Sequence, residues 1–349
     1  MHKVDNLIVG GGLAGIWFAF QCAKRNVPFA LITKAGHSKS SEVAAGIFNP
    51  ILANRQKLSY KADEIYPDLG KKYHELEALI HQKIFHKYPV AYIIESLKEL
   101  NDWAALSESH IFKDYVLMKN ERIADHVISD FGVLEISSSG WVDIPLMIHS
   151  FISRIVSPNV FLEDDFIPDL LVNNEEGYFY QNINAQNVVF CQGTAATQNP
   201  FTANVQLKPA KGEVLYIQND ETIENLIPQN GVFMLPLGNN CFKIGSNFEW
   251  NDMTWEPTQK AQNEIIGKFT RWYKGPFEIV TQIAGVRPSS NDRRPFVGKL
   301  NTLPNAYILN GLGSKGVALA PYYSEMLYKH IYENGEIEKD VEVYRFKSK

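Results

Sequence analysis

The chain has 349 residues, 45% of them hydrophobic and 21% charged, with a formal net charge of −5 at pH 7. This length exceeds the usual reach of one hydrophobic core, so two lobes are expected, and the acidic balance removes any global electrostatic footprint for nucleic acid. Three scattered cysteines, Cys22, Cys191 and Cys241, argue against a disulfide framework and fit a cytoplasmic protein, and no Cys or His spacing points to a metal site.

Taken in order, residues 5–9 form a short apolar run, followed by Gly10-Gly11-Gly12-Leu13-Ala14-Gly15, a helical pattern to about residue 25 and a second apolar run at 28–32. This is one strand–helix–strand unit, not a secretory signal, because four glycines interrupt the apolar run. Helices are predicted at 60–81, 97–107, 144–156 and 259–273, and strands at 89–94, 133–136, 188–193, 214–218, 231–235 and 241–244. The three strands between 214 and 244 read as an antiparallel sheet. A strand at 306–309 then leads through a second glycine-rich turn into a helix from 317 to about 332. No stretch approaches the roughly 18 apolar residues that a membrane span needs.

Gly10, Gly12 and Gly15 fit the GxGxxG pattern in the context that gives it meaning, after a strand and opening a helix. The first glycine permits a tight turn, the second lets the backbone approach a pyrophosphate, and the third lets helix and strand pack closely. The free N–H groups of the helix start then face the anion. An acidic residue for the ribose is missing at the end of the second strand. Thr33 and Lys34 stand there instead, so NADP competes with FAD at this point.

Near the C-terminus, Ala284-Gly285-Val286-Arg287-Pro288 precedes the turn Gly311-Leu312-Gly313-Ser314-Lys315-Gly316. With the segments at 8–15, 40–50 (SSEVAAGIFNP), 140–145 (GWVDIP), 188–193 (VVFCQG) and 208–214 (KPAKGEV), these motifs resemble, nearly end to end, the D-amino-acid oxidase (DAO) family of FAD oxidoreductases. The likeness is to its glycine oxidase and sarcosine oxidase branch and to the oxidase half of the bifunctional tRNA-modifying enzyme. The resemblance favours non-covalently bound FAD over NADP. It implies an α/β fold: a Rossmann-like FAD-binding domain (1–80, 140–205 and 281–349) with an inserted, mainly antiparallel β-rich substrate domain (81–139 and 206–280).

By matching position, the resemblance assigns Gly10, Gly12, Leu13, Ala14 and Gly15 to the pyrophosphate and Thr33 and Lys34 to the adenosine ribose. It assigns Ser40 and Ser41 to the phosphate or ribityl region, Ala45 and Gly46 to the flavin ring, and Phe166 or Ile167 to the adenine. Cys191 and Gly193 would end a strand beside the cofactor. Gly313, Ser314, Lys315, Gly316 and Val317 would face the flavin's pyrimidine edge.

Arg287 is the leading catalytic candidate, because a guanidinium can make two charge-assisted bonds to a substrate carboxylate; its structural alternative is a pair with Asp292. Lys315 is the second, stabilising charge at the flavin or lying solvated at a helix start. Lys211 has a similar claim against the reading of a turn lysine. Cys191 is expected as a packed thiol, His37 as a loop histidine, and Trp141, Trp250 and Trp255 as pocket or core.

The implied reaction is oxidation of a C–N bond in an amino acid or secondary amine, by hydride transfer to flavin N5, giving an imine that hydrolyses. The acceptor is oxygen or a carrier. Ser314 replaces the arginine of the glycine oxidase turn, and Phe233 stands near that group's tyrosine, which sets glycine and sarcosine in doubt as substrates. The alternatives are oxidation of a carboxymethylaminomethyl uridine in tRNA, or a non-catalytic FAD-binding role.

Overall fold

The computed structural model describes residues 1–34, 40–223 and 225–346, so His37 lies outside the described residues. Seven helices are present among them: α1 (Leu13–Lys24), α2 (Ser40–Val43), α3 (Ala62–Ile80), α4 (Leu97–Ser107), α5 (Ile144–Ile155), α6 (Gln259–Trp272) and α7 (Gly316–Tyr332). Three of them start at side-chain caps that satisfy a free backbone N–H. Ser96 accepts from Glu99 N at 3.2 Å, Asp143 from Leu146 N at 3.0 Å, and Thr258 from Ala261 N at 3.2 Å.

The first sheet is built on His2–Val9, which pairs in parallel with Phe29–Thr33 on one side and Ile183–Phe190 on the other. The far edge of Ile183–Phe190 is shared. Gly177–Tyr180 runs antiparallel along its start, and Ala306–Asn310 runs parallel along its end. Thus a strand from the last fifth of the chain lies one strand away from the opening βαβ unit. Helix α1 is apolar all round and buried through its first ten residues, as a helix enclosed between a sheet and other helices must be. Trp17 of α1 meets Tyr73 of α3 edge to face, with ring centroids 5.0 Å apart, in a core shared with Phe151 of α5 and Tyr323 of α7.

The second sheet has the order Glu278–Arg287, Ala210–Gln218, Cys241–Gly245, Val232–Gly238, Ile227–Asn230, Val90–Ile93, Val133–Ile136 and Val116–Lys119. It is antiparallel throughout, save for the parallel pairing of Ile227–Asn230 with Val90–Ile93. Helix α6 lays Ile265, Phe269 and Trp272 on Leu215, Ile217, Met234 and Ile244 of this sheet.

Two expectations need correction. Lys211 is not a turn residue: it lies inside the strand Ala210–Gln218, fully buried. The ten-residue strand Glu278–Arg287 was anticipated only as a motif at its end, and it crosses the expected boundary at 280/281. No helix of the described residues is long and apolar enough to cross a membrane.

Candidate functional site

The opening turn has no room for side chains. Gly10 has φ of +115°, and a Cβ there would lie 2.4 Å from the Cys191 carbonyl oxygen; a Cβ on Gly15 would lie 1.8 Å from the Gly10 oxygen. The turn is tied to its flanking strands by Gly10 N–H on the Ile32 oxygen at 2.8 Å and Cys191 N–H on the Val9 oxygen at 2.7 Å. Gly12 caps α1 without a side chain, and the Leu13 N–H is bound by the Ser41 hydroxyl at 3.1 Å. Thr33 is buried, and its hydroxyl oxygen has no hydrogen-bond partner among the described residues. A side-chain-free turn at a helix start beside an orphaned buried hydroxyl fits the pyrophosphate and ribose of a dinucleotide.

Other expected nucleotide residues have protein partners. The Lys34 ammonium lies 3.5 Å from the exposed Asp165 carboxylate. The Ser40 hydroxyl donates to the Val286 carbonyl, which ties α2 to the strand ending in Arg287. Phe166 stacks on Tyr180 at 5.2 Å, and the Ile167 N–H donates to the Tyr180 hydroxyl at 3.0 Å. Cys191 is a packed thiol that burial pushes upward in pKa.

The C-terminal turn closes onto this region. Gly313 donates its N–H to the Pro288 oxygen at 3.0 Å, next to Arg287. Gly316 opens α7 so close to the first turn that a Cβ on it would lie 3.1 Å from Leu13 Cδ1. Asn310, at the end of its strand, donates to the Gly193 oxygen at 2.9 Å. Gly46 has φ of +73° and would drive a Cβ to 2.0 Å from the Val142 oxygen. Val317 offers its carbonyl to the Tyr73 hydroxyl, and Ser314 is exposed. Beside Ala45, Lys243 reaches the Ala44 oxygen at 3.4 Å.

Three cations, Arg287, Lys315 and Lys243, have hydrogen-bond partners but no carboxylate within ion-pair distance among the described residues. The Arg287 guanidinium fits over Gly212, where a Cβ would come within 2.2 Å of it. It donates to the Lys211 oxygen at 3.2 Å, the Asn247 oxygen at 3.4 Å and the Ser246 hydroxyl at 2.8 Å, and it lies 4.4 Å over the Phe248 ring. Burial pulls its pKa down to about 10. The alternative, a pair with Asp292, does not occur, because Asp292 is taken by Arg345 at 2.8 and 2.9 Å.

Lys315 is only half-buried as a residue, but its ammonium end reaches inward to the Asn49 oxygen at 2.7 Å, and burial pulls it down to about 8. Lys243 is buried between Tyr216, whose ring centre is 4.9 Å away, and Ala44. Burial pulls it down to about 8 as well, against the opposing attraction of Asp143.

Lys243, Ser246, Asn247 and Phe248 were not anticipated from sequence. The available signal was a lysine between the apolar residues Phe242 and Ile244 in a strand. Lys211 does not join the site: its ammonium is held by Asp252 at 2.5 Å, Thr254 at 3.1 Å and the Glu256 oxygen at 2.6 Å. Trp141 stacks on His86 at 4.5 Å, while Phe233 pairs with Gly245 in the second sheet. A separate surface cavity of about 430 Å³, between residues 120–130 and Lys274, shares no residue with this region.

The fold and the side-chain-free turn define a dinucleotide-binding class, and comparison with known proteins makes it specific. The family model for DAO, FAD dependent oxidoreductase, matches residues 5–329, and the chain belongs to this family of FAD-dependent oxidoreductases. It is 23% identical over 374 residues to the tRNA 5-methylaminomethyl-2-thiouridine biosynthesis bifunctional protein of Legionella pneumophila, covering 92% of this chain and 53% of that protein. The chain thus spans about half the length of these relatives. It is 21% identical to glycine oxidase of Bacillus subtilis, covering 96% and 95% of the two chains. Among solved structures, iminodiacetate oxidase from Chelativorans sp. BNC1 superposes with a TM-score of 0.79 at 17% identity, covering 95% and 96% of the two chains. Glycine oxidase from Geobacillus kaustophilus does so at 0.77 and 18%, covering both chains fully. As expected from the motifs, the cofactor is FAD and the fold is the mixed α/β fold of these oxidases.

Proposed function

We propose that this FAD-dependent oxidoreductase oxidises the C–N bond of an amino acid or secondary amine that carries a carboxylate. The observation that carries the reading is the Arg287 guanidinium, buried beside the C-terminal glycine turn with only neutral acceptors. A guanidinium has five N–H donors, and three hydrogen bonds leave two for an incoming carboxylate. A buried cation of this kind gains most from an anionic ligand, since it has already lost its water.

Residues 10–15 with Thr33 would hold the pyrophosphate and ribose. Ala45, Gly46 and residues 313–317 would flank the flavin ring. FAD, when bound, supplies the two-electron acceptor. Arg287 would fix the acid group, and with it the orientation of the amine's α-carbon. Lys315 and Lys243 would supply positive charge on the Asn49 and Ala44 sides of the site. On this reading residues 1–80, 140–205 and the segment after the strand Glu278–Arg287 form the cofactor lobe, and 81–139 with 206 to the end of that strand the substrate lobe.

The test is anaerobic titration of the yellow holoprotein with amino acids and N-substituted glycines. Bleaching of the flavin band by at least one of them is expected. A band that stays oxidised with all of them contradicts the reading.

A further inference from the structure

Between the strand Cys241–Gly245 and helix α6, residues 246–258 fold back against the strand Ala210–Gln218. The near end of this segment is the seat of Arg287. Ser246 and Asn247 supply two of the guanidinium's acceptors, the Phe248 ring lies against it, and the Lys211 carbonyl supplies the third acceptor. That carbonyl also accepts the Glu249 N–H at 3.0 Å, and the Lys211 N–H donates to the Glu249 oxygen at 2.8 Å. The Asn247 side chain accepts the Glu213 N–H at 2.8 Å.

The far end is pinned by two buried side chains of the same strand, Lys211 and Glu213. The Lys211 ammonium has three N–H groups, and Asp252 at 2.5 Å, Thr254 at 3.1 Å and the Glu256 oxygen at 2.6 Å take all three. Asp252 in turn holds the Thr254 N–H at 2.8 Å and its hydroxyl at 2.6 Å. Glu213 is engaged elsewhere, by Thr258 at 2.8 and 2.9 Å and by Gln282 at 2.6 Å, and stays 3.7 Å from Lys211. Asp252 is therefore the carboxylate that closes a hydrogen bond on the buried ammonium.

Lys211 thus joins the two ends of the segment: its carbonyl receives Arg287, and its side chain grips residues 252–256. A guanidinium that meets a carboxylate through two parallel bonds tolerates little error in direction. We infer that Asp252 is a positioning residue for the carboxylate anchor: its ion pair with Lys211 holds residues 246–248 where they aim the Arg287 guanidinium. Asp252 acts through this segment and not on the substrate itself. Without its charge the buried ammonium lacks a hydrogen-bonded counter-charge, and the grip on residues 252–256 loosens. This rests on the carboxylate-binding reading of Arg287.

The experiment titrates oxidised holoprotein with two ligands that carry no oxidisable amine, N-acetylglycine and its neutral counterpart N-acetylglycinamide, and follows the flavin difference spectrum. Asp252→Asn keeps the size of a side chain that is one third exposed, so fold and FAD are expected to be retained. It should weaken N-acetylglycine about tenfold and leave N-acetylglycinamide within about twofold, because only the acid depends on the aim of Arg287. In an Arg287→Met background the same substitution should change N-acetylglycine affinity by less than about twofold, since the residue it acts through is gone. Thr254→Ala takes one acceptor from the Lys211 ammonium and should weaken the acid about threefold; it decides the matter if Asp252→Asn loses FAD. Equal weakening of both ligands, the same loss with and without Arg287, or unchanged acid affinity in both variants overturns the inference and leaves the Arg287 reading standing. An Arg287→Met protein that binds N-acetylglycine as the parent does contradicts the Arg287 reading, and the inference falls with it.

Discussion

The molecule treats its buried cations in two opposite ways. Away from the glycine turns, charge is neutralised: Lys211 pairs with Asp252 at 2.5 Å and lies 3.7 Å from Glu213, and Arg345 is clasped by Asp292. By contrast, the hydrogen-bond partners of Arg287, Lys315 and Lys243 among the described residues are all carbonyl and hydroxyl oxygens. Burying a charge without a counter-charge is costly, and a fold tolerates it where a ligand supplies the missing partner. On the proposed reading, the contrast separates cations that hold the structure together from cations that await an anion.

The sharpest way to break this comparison is to remove one cation of each kind. Lys211→Met leaves the Glu213 and Asp252 carboxylates without their partner and is expected to lower stability by about 3 kcal/mol in urea denaturation. Arg287→Met should leave stability within about 1 kcal/mol of the parent, while weakening carboxylate ligands on the order of 100-fold in flavin difference spectra. Similar losses of stability in both variants would erase the distinction.

A smaller effect follows from pH. Folding lowers Lys315 and Lys243 from the usual lysine value to about 8. Both are therefore cationic below pH 8 and neutral above it. Carboxylate affinity should fall several-fold as pH rises through about 8, and the limb should disappear in Lys315→Met/Lys243→Met. The ligand-free protein should show the opposite sign. Between pH 8 and the ordinary lysine range the unfolded chain binds more protons than the folded one, so these two groups add stability as pH rises. A flat affinity profile through pH 8 would remove both lysines from the account.

Much of the cofactor region was legible in sequence because its signals are local. The strand–turn–helix at residues 5–25 needs no distant partner to be recognised. Helix α4 has the ends expected from sequence, and what fixes its start is equally local: Ser96 caps it and Glu99 reaches back to the Glu95 N–H. The substrate-side geometry depends on pairings that sequence does not display. The strand Glu278–Arg287 begins with four exposed residues and acquires its register from the distant strand Ala210–Gln218. Lys211 looked like a turn lysine because its partner Asp252 lies 41 residues away. Arg287 had Asp292 as a plausible neighbour until the fold delivered Arg345 to it from 53 residues downstream. Burial of a charge is a property of the tertiary fold, and the sequence names the residue without revealing whether it is paired.

The most direct measurement is rapid anaerobic mixing of FAD-loaded protein with a panel of amino acids and N-substituted glycines, comparing the parent chain with Arg287→Met. The account predicts that at least one acid-bearing amine bleaches the flavin, and that the substitution slows this on the order of 100-fold at limiting substrate. Equal rates in the two proteins, with amines lacking a carboxylate reacting as well as those that have one, would contradict it.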